Sequence, residues 1–395
     1  MTFLNKSGKI DLYYFGKELG FMKTAKRLIP LLVVILAIMA FGCFHSEKRA
    51  VKKAIKNDLD LLKNLDSDTA SKYFSYKELF PDIKDDQKQS NEIKDVFPLF
   101  FQDFDYKILD VDVDKDKQTA SASLRLVTLD ANALAKDFTA AKLQREIQSA
   151  ANMENDHDSK SSSLSLTDLY LIIKELLASD DYDSIERNCT IELAMNDHNA
   201  WEIKRTYALE NDLVGGLMTY LSDPDILSPE DTLTVYLDSL TEMNTEEMSS
   251  FLGVESILNT SDTTRNAIAS ALVTQVHNTF NYEFKDSKIN GYQAVVTTKI
   301  TTFDSEAILT SYQKKLNEYL ASPDAVIDGL EKRLDKSYDM LLDCITANTA
   351  TKTADASLCL INDGVSWKLD DSNGELGNAI FGTLTTSPVD DTVTE

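Results

Sequence analysis

Positively charged residues are scarce in this sequence. Its 395 residues include 65 Asp and Glu against 40 Lys and Arg, which gives a formal net charge of −25 at pH 7. Proteins that bind nucleic acid use Lys and Arg to neutralise phosphates, so the composition argues against such a partner. A large negative charge keeps a protein dispersed by repulsion. We interpret the acidity as a solvated surface, with an acidic binding surface as the alternative.

Histidines and the motifs of common enzymes are equally scarce. The four histidines are scattered, and none stands in a zinc-binding spacing such as H-E-x-x-H. The sequence has no G-x-S-x-G nucleophile turn, no phosphate-binding glycine loop and no Cys/His constellation. We therefore expect no metal, no cofactor and no catalytic residues, and we predict that the protein is not an enzyme.

Four aspartates alternate along one segment and raise the question of a calcium site. An EF-hand loop beginning at Asp110 requires glycine at position six and glutamate at position twelve, where this sequence has Lys115 and Ser121. Alternation instead predicts a strand whose aspartates face solvent while its apolar residues face the core. The aspartates are Asp110, Asp112, Asp114 and Asp116, and the apolar residues are Leu109, Val111 and Val113.

Long apolar runs are absent except for one of eleven residues, 31–41. Lys23, Lys26 and Arg27 precede it, and Gly42 and Cys43 follow it directly. Its length suits the hydrophobic region of an export signal, about 7–15 residues, and falls short of the roughly 20 residues of a spanning helix. With a cysteine directly behind it, the segment resembles a bacterial lipoprotein signal, in which that cysteine is lipidated and becomes the new N-terminus.

This resemblance predicts the location of the protein. Cys43 is the expected lipid attachment site, residues 1–42 form the signal segment, and Met22 is a candidate for the true first residue. The remaining chain is expected on the extracytoplasmic face of the cell membrane. An uncleaved membrane anchor is the alternative. If Cys43 is lipidated, three cysteines remain: Cys189, Cys344 and Cys359. We expect them to be buried free thiols, and a disulfide between Cys344 and Cys359 is the alternative.

The chain repeats itself. Residues 196–204 resemble residues 362–370, and this match aligns Trp201 with Trp367, the two tryptophans of the protein. Ahead of them, Thr-Leu-Asp at 128–130 matches Thr-Phe-Asp at 302–304. Two copies of about 165 residues indicate duplication of a domain rather than a solenoid. The predicted organisation is a first domain at 43–221, a linker at 222–231, a second domain at 232–384 and an acidic tail at 385–395.

Each copy has the same predicted elements: an opening helix, a β-hairpin, two helices and a final antiparallel strand pair that ends in the tryptophan strand. In the first copy the opening helix is marked by Val51, Ile55, Leu59 and Leu62. The paired helices are predicted at 131–147 and 166–178, and at 305–320 and 324–345. The last carries an apolar stripe of Ile327, Leu330, Leu334, Leu341 and Ile345. Together these elements predict an α+β fold with an antiparallel sheet packed on helices in each domain.

The Trp-Lys-Leu strand at 367–369 and the small-residue helix behind it resemble extracytoplasmic lipoproteins of low-GC Gram-positive bacteria. Those proteins have tandem domains related to nuclear transport factor two and the cystatins. The resemblance covers most of residues 47–385 and implies two cone-like domains, each a curved antiparallel sheet folded over helices. The two-helix insert in each copy departs from the simplest form of that fold. Such families mostly have no known activity.

One concentrated basic patch stands in this acidic chain, on the predicted first helix. Helical spacing places its five residues on one side, next to the apolar stripe. We predict that they contact anionic headgroups, with a merely solvated helix face as the alternative. The residues are Lys48, Arg49, Lys52, Lys53 and Lys56.

The leading functional prediction is a membrane-tethered, non-enzymatic module that binds an envelope protein or peptide. One rival is a small-molecule carrier or isomerase-like enzyme that uses a cone as its pocket. Isomerases of that kind pair an acid with a tyrosine, and Tyr106 or Tyr282 with an aspartate would mimic this arrangement, although the sequence selects no pair. The other rival is a spacer that holds a partner away from the membrane. Trp201 and Trp367 are expected in the core, with ligand stacking as the alternative.

Overall fold

The computed structural model describes residues 46–73, 79–81, 91–153, 164–179, 182–254, 257–258, 263–372 and 374–385. Within them the chain forms two four-stranded antiparallel sheets, each packed on helices, so the predicted α+β class is confirmed. Cys43, the signal segment and residues 386–395 lie outside the described residues. The domain boundaries, the cone shape and the relation to the named families stay predictions.

The first copy runs from the opening helix to the helices that follow the tryptophan strand. Its elements are α1 over residues 46–63, α2 Ser67–Tyr73, α3 Asn91–Lys94, a 3-10 turn Phe97–Phe101, β1 Asp105–Asp114, β2 Thr119–Leu129, α4 Ala131–Met153, α5 Leu166–Ser179, β3 Ser184–Met195, β4 Trp201–Ile203, α6 Tyr207–Leu213 and α7 Leu217–Leu221.

The second copy has the same order of strands, but one helix, α10 at Thr263–Thr279, precedes its hairpin and the second helix of its insert is broken. Its elements are α8 Pro229–Leu240, α9 Thr245–Leu252, α10 Thr263–Thr279, β5 Asn281–Asn290, β6 Gln293–Phe303, α11 Ser305–Leu320, α12 Pro323–Ile327, α13 Leu330–Ala347, β7 Thr351–Asn362, β8 Trp367–Asp370, α14 Glu375–Phe381 and a 3-10 turn Gly382–Thr385. Helix α8 begins inside the segment 222–231 because Ser228 and Asp231 form a capping box around Pro229.

The two sheets have the same topology. Their strand orders are β1-β2-β3-β4 and β5-β6-β7-β8, with every neighbouring pair antiparallel. Trp201 and Trp367 each begin the fourth strand and both are buried, so the predicted equivalence of the two tryptophans and their place in the core are confirmed. In each copy an Asp of the matched Thr-x-Asp segment caps the helix that follows: Asp130 for α4 and Asp304 for α11.

Strand β1 bears out the solvent-facing aspartates but corrects one apolar residue. Val111 and Val113 are buried, and Asp110 and Asp112 are exposed, as the alternation predicts. Leu109, expected in the core, is exposed because a β-bulge between Ile108 and Asp110 shifts the register by one residue. Strand β5 has a register shift at the corresponding place, between Phe284 and Asp286.

The helix predicted at 324–345 is broken, which corrects the predicted apolar stripe. Helix α12 ends at Ile327 and α13 begins at Leu330. Leu341 and Ile345 are buried as expected, Leu334 is half-buried, but Ile327 and Leu330 are 79% and 62% exposed.

The break is stabilised by one buried carboxylate. Asp328 accepts hydrogen bonds from Lys336 at 2.6 Å and from Tyr319 at 2.9 Å, and it forms an ion pair with Lys332 at 3.0 Å. Lys336, Lys332 and Tyr319, in that order, lower the pKa of the Asp328 carboxyl. The extended backbone at Asp328 therefore persists where periodicity alone predicts a continuous helix.

Each sheet has its own hydrophobic core, and one helix contributes to both. Val51, Ile55, Leu59 and Leu62 of α1 are buried in the first core, as predicted. Helix α4 belongs to the first copy, yet its Ile147 is buried in the second core against helices α8 and α9. Gln144 on the same helix donates a hydrogen bond to Glu242 at 3.1 Å.

Candidate functional site

The predicted basic patch lies on the outer side of α1. Arg49, Lys52, Lys53 and Lys56 are exposed and Lys48 is half-buried, while the apolar residues between them enter the core. Lys48, Lys52 and Lys56 follow one line of the helix over about 12 Å, with Arg49 and Lys53 on the adjoining line. We call these five residues the basic face.

The basic face differs from the rest of α1 in its lack of ion pairs with described residues. None of its five residues forms an ion pair within the part of the chain that the structure describes. Further along the helix the charged groups are matched: Lys63 pairs with Asp105 at 2.8 Å, and Asp58 pairs with Lys72 at 2.8 Å. The charges of the basic face are therefore available to an external anionic surface.

Two side-chain hydrogen bonds hold α1 across the first sheet. Near its beginning, the indole Nε1 of Trp201 on β4 donates to Glu47 Oε2 at 3.3 Å. Near its end, the hydroxyl of Tyr106 on β1 donates to Asp60 Oδ1 at 2.5 Å. Since β1 and β4 are the two edges of this sheet, α1 crosses the sheet from one edge to the other.

The second copy repeats both contacts. The indole of Trp367 donates to Asp225 Oδ1 at 2.9 Å, and the hydroxyl of Tyr282 donates to Asp238 Oδ1 at 2.8 Å. The acceptors of the two copies, Glu47 with Asp225 and Asp60 with Asp238, are both separated by 178 positions in the sequence. This offset assigns each position of α1 a counterpart on or before α8.

The counterparts of the basic face carry no positive charge. Two of them are buried apolar residues, two are acidic and one is a threonine. The same structural element is thus built twice, and only the copy that follows Cys43 has the cations, so the fold does not require them. The counterparts are Ile226, Leu227, Glu230, Asp231 and Thr234.

The two tyrosine–aspartate pairs act as contacts between sheet and helix. Burial, with a smaller contribution from Asp238, raises the pKa of Tyr282 to about 12. Burial and then Asp60 raise the pKa of Tyr106 in the same way. Both hydroxyls therefore stay protonated and donate throughout the physiological pH range. Asp60 and Asp238 are themselves exposed at the sheet edges rather than enclosed in a cone.

Removing either hydroxyl should destabilise the protein measurably. Tyr106→Phe and Tyr282→Phe each delete one hydrogen bond to a carboxylate and leave the ring in place, so we expect a loss of about 1 kcal/mol in unfolding free energy from each. Tyr292→Phe is the control, because Tyr292 is exposed and its hydroxyl bonds no described residue. Urea unfolding measures the effect, and equal stability of all three variants would contradict the assigned role.

None of the cysteines in the described residues is paired in a disulfide. Cys189, Cys344 and Cys359 are all free, which answers the open question of a Cys344–Cys359 disulfide. Cys189 and Cys344 are buried as expected, whereas Cys359 is exposed because it lies on the outer face of β7. Burial, more than the nearby Asp212, raises the pKa of the Cys189 thiol to about 12, so this group stays a neutral thiol.

The described residues form neither a metal-binding cluster nor a membrane-spanning helix. Among the described residues, no group of three or more His, Cys, Asp and Glu side chains is arranged to hold a metal ion. The described helices include none that combines the length and the apolar character needed to cross a membrane.

Comparison with known proteins identifies no family for this chain. No family model matches the chain, and no curated protein does. One solved structure with some similarity is ycdA from Bacillus subtilis, a protein provisionally described as a lipoprotein; it is 11% identical, and the match covers 70% of this chain and 96% of that one with a TM-score of 0.25. A TM-score this low supports no argument about fold, location or function.

Proposed function

We propose that this protein is a membrane-tethered extracytoplasmic lipoprotein whose first helix rests on the membrane surface. Cys43 would carry the lipid, and the basic face would contact anionic headgroups. The observation that supports this most is the comparison of the two copies: the cations are present on α1 and absent from the equivalent positions at α8.

The spacing of the two features supports a joint role. Lys48 follows Cys43 by five positions, a distance of about 17 Å at full extension. A lipid at Cys43 would therefore hold α1 within reach of the same headgroups. Cations next to a lipid anchor reinforce membrane binding, each by about 1 kcal/mol at an anionic surface. The rest of the chain is strongly acidic and would be repelled outward from that surface.

The body held in this way is proposed to bind an envelope protein or peptide without catalysis. The acid–tyrosine pairs that an isomerase-like enzyme would need form contacts between sheet and helix, and burial raises the pKa of the Cys189 thiol so that it stays neutral. These observations favour a binding module over the enzymatic alternative.

The lipid site is tested by replacing Cys43 with alanine in cells supplied with a fatty-acid analogue. We expect the native protein to be labelled and found in the membrane fraction, and the Cys43→Ala protein to be unlabelled and to accumulate as an uncleaved precursor. Cys359→Ser should keep full labelling, because it removes an exposed thiol that is distant in sequence from the signal segment. Undiminished labelling of Cys43→Ala would refute the lipid site.

A further inference from the structure

The outer face of the second sheet has an exposed apolar end that the proposed function does not use. Tyr292 and Val365, in the turns at this end, are 73% and 71% exposed, although monomeric proteins seldom leave clustered apolar side chains in water. Three of its residues lie on strands β6 and β7 and two in the β5–β6 and β7–β8 turns. We call them the apolar end: Tyr292, Val295, Cys359, Ile361 and Val365.

The strand pairing arranges the outward residues in two parallel rows. The first row, from β5 to β8, is Lys288, Val295, Cys359 and Asp370, and the second row is Asn290, Gln293, Ile361 and Lys368. The first row has Val295 and Cys359 on its middle strands and charged residues on its outer strands, whereas the second row has Gln293 beside Ile361 between polar outer residues. The opposite end of the same face is polar: Lys299 pairs with Glu283 at 2.9 Å and Thr301 bonds Thr353 at 2.9 Å.

The first copy shows that the fold does not require this apolar end. The matched Thr-x-Asp segments align Val295 with Ser121, and the strand pairing then aligns Cys359 with Glu192 and Ile361 with Ala194. Glu192 there forms an ion pair with Lys204 at 3.6 Å. The first sheet thus has a polar surface where the second has an apolar one.

We propose that the apolar end is the interface of a homodimer, in which two second sheets pack face to face about a twofold axis parallel to their strands. A twofold interface uses the same patch on both subunits, which suits a patch that is apolar in its centre. Sheets in such contacts lie about 10 Å apart.

Charge complementarity favours a second copy in this orientation. The axis places β5 over the partner's β8 within the same row, so that Lys288 lies opposite Asp370 of the partner subunit, and the symmetry repeats this pair. Among the described residues of one chain, Lys288 forms an ion pair only with Asp286, at 3.3 Å, and an exposed pair of this kind contributes little stability. The polar, acidic residues 386–395 offer no comparable apolar surface to cover the patch.

Cys359 provides a direct test in intact membranes. In the proposed dimer the two Cys359 Cα atoms are offset by one strand spacing across the sheet gap, a separation on the order of 11 Å, which a short bismaleimide spans. Among the described cysteines only Cys359 is exposed, and the crosslinked peptide identifies the thiol. We expect a crosslinked dimer of the full chain that Cys359→Ser abolishes.

Two sets of variants separate this dimer from random collision. Val295→Ser with Ile361→Ala, which installs the first-copy residues, should lower crosslinking at least tenfold, whereas Thr353→Ser at the polar end should leave it unchanged. Lys288→Asp should lower it, and adding Asp370→Lys should restore it. Unaltered thermal midpoints confirm that the variants fold. Three results would overturn the proposal. They are absence of a crosslinked dimer, unchanged crosslinking in the Val295→Ser with Ile361→Ala variant, and failure of Asp370→Lys to restore crosslinking in the Lys288→Asp variant.

Discussion

Replacing the five residues of the basic face with glutamine is expected to abolish the binding of residues 46–395 to anionic vesicles. Each cation at such a surface contributes about 1 kcal/mol, so five contribute about 5 kcal/mol, or roughly several thousandfold in affinity. The unmutated protein should bind at low salt and be released as salt rises, because the screening length falls from about 30 Å at 0.01 M to about 3 Å at 1 M. Vesicle co-sedimentation measures both effects.

A control variant removes the same number of positive charges from positions outside the basic face. Lys117, Lys285, Lys299, Lys352 and Lys368 are each engaged in an ion pair away from α1. Replacing these five with glutamine changes the net charge equally but should leave vesicle binding intact. Equal loss in both variants would show that net charge, not the basic face, governs binding. If the unmutated protein shows no salt-dependent binding, the basic face is only a solvated surface.

Gly215→Ala is expected to cause a large loss of stability. Gly215 follows α6 with a φ of +67°, and a Cβ there would lie 2.7 Å from the carbonyl oxygen of Leu129 and 3.1 Å from the Cβ of Ala131. The left-handed backbone costs an L-residue about 1–2 kcal/mol, and overpacking against backbone adds about 1–3 kcal/mol. The expected loss is therefore about 3–4 kcal/mol of unfolding free energy.

Gly291→Ala isolates the conformational part of this effect. Gly291 has nearly the same backbone, with a φ of +60°, but a Cβ there would meet nothing within 4 Å. It should therefore lose only about 1–2 kcal/mol. Denaturant unfolding of both variants gives the difference. Equal destabilisation by the two substitutions would contradict the close contact between Gly215 and the end of β2.

Local patterns in the sequence predicted much of the fold. Helical spacing identified the buried stripe of α1, and alternation identified the strand with its solvent-facing aspartates. The errors arose where tertiary contacts or single-residue insertions decide the outcome. Leu109 is displaced by a bulge, which hydrophobic alternation does not reveal. The break at Asp328 depends on donors from α11 and α13, so periodicity within the predicted helix could not show it.

Only part of the candidate site could be predicted from the sequence. The basic face follows from spacing along a single helix, whereas the hydrogen bonds that orient this helix join residues far apart in sequence. Glu47 and Trp201 are 154 positions apart, and no local signal pairs them. The duplication relates these acceptors in the sequence, because Glu47 and Asp225 are separated by the same number of positions as Asp60 and Asp238. The packing of Ile147 in the second core has no such signal, since the matched position 321 in the second copy is alanine.

The proposed function requires that α1, and not its counterpart α8, lies on the membrane. The most direct measurement is energy transfer from a donor dye to acceptor-labelled headgroups, using the full lipidated chain in anionic vesicles with Cys359 replaced by serine. The dye is placed on Lys53→Cys or on Asp231→Cys, matched exposed positions of the two copies. We predict strong transfer from position 53 that declines as salt is added, and weak transfer from position 231 at every salt concentration. Equal transfer from both positions, or transfer from position 53 that does not respond to salt, would contradict the account.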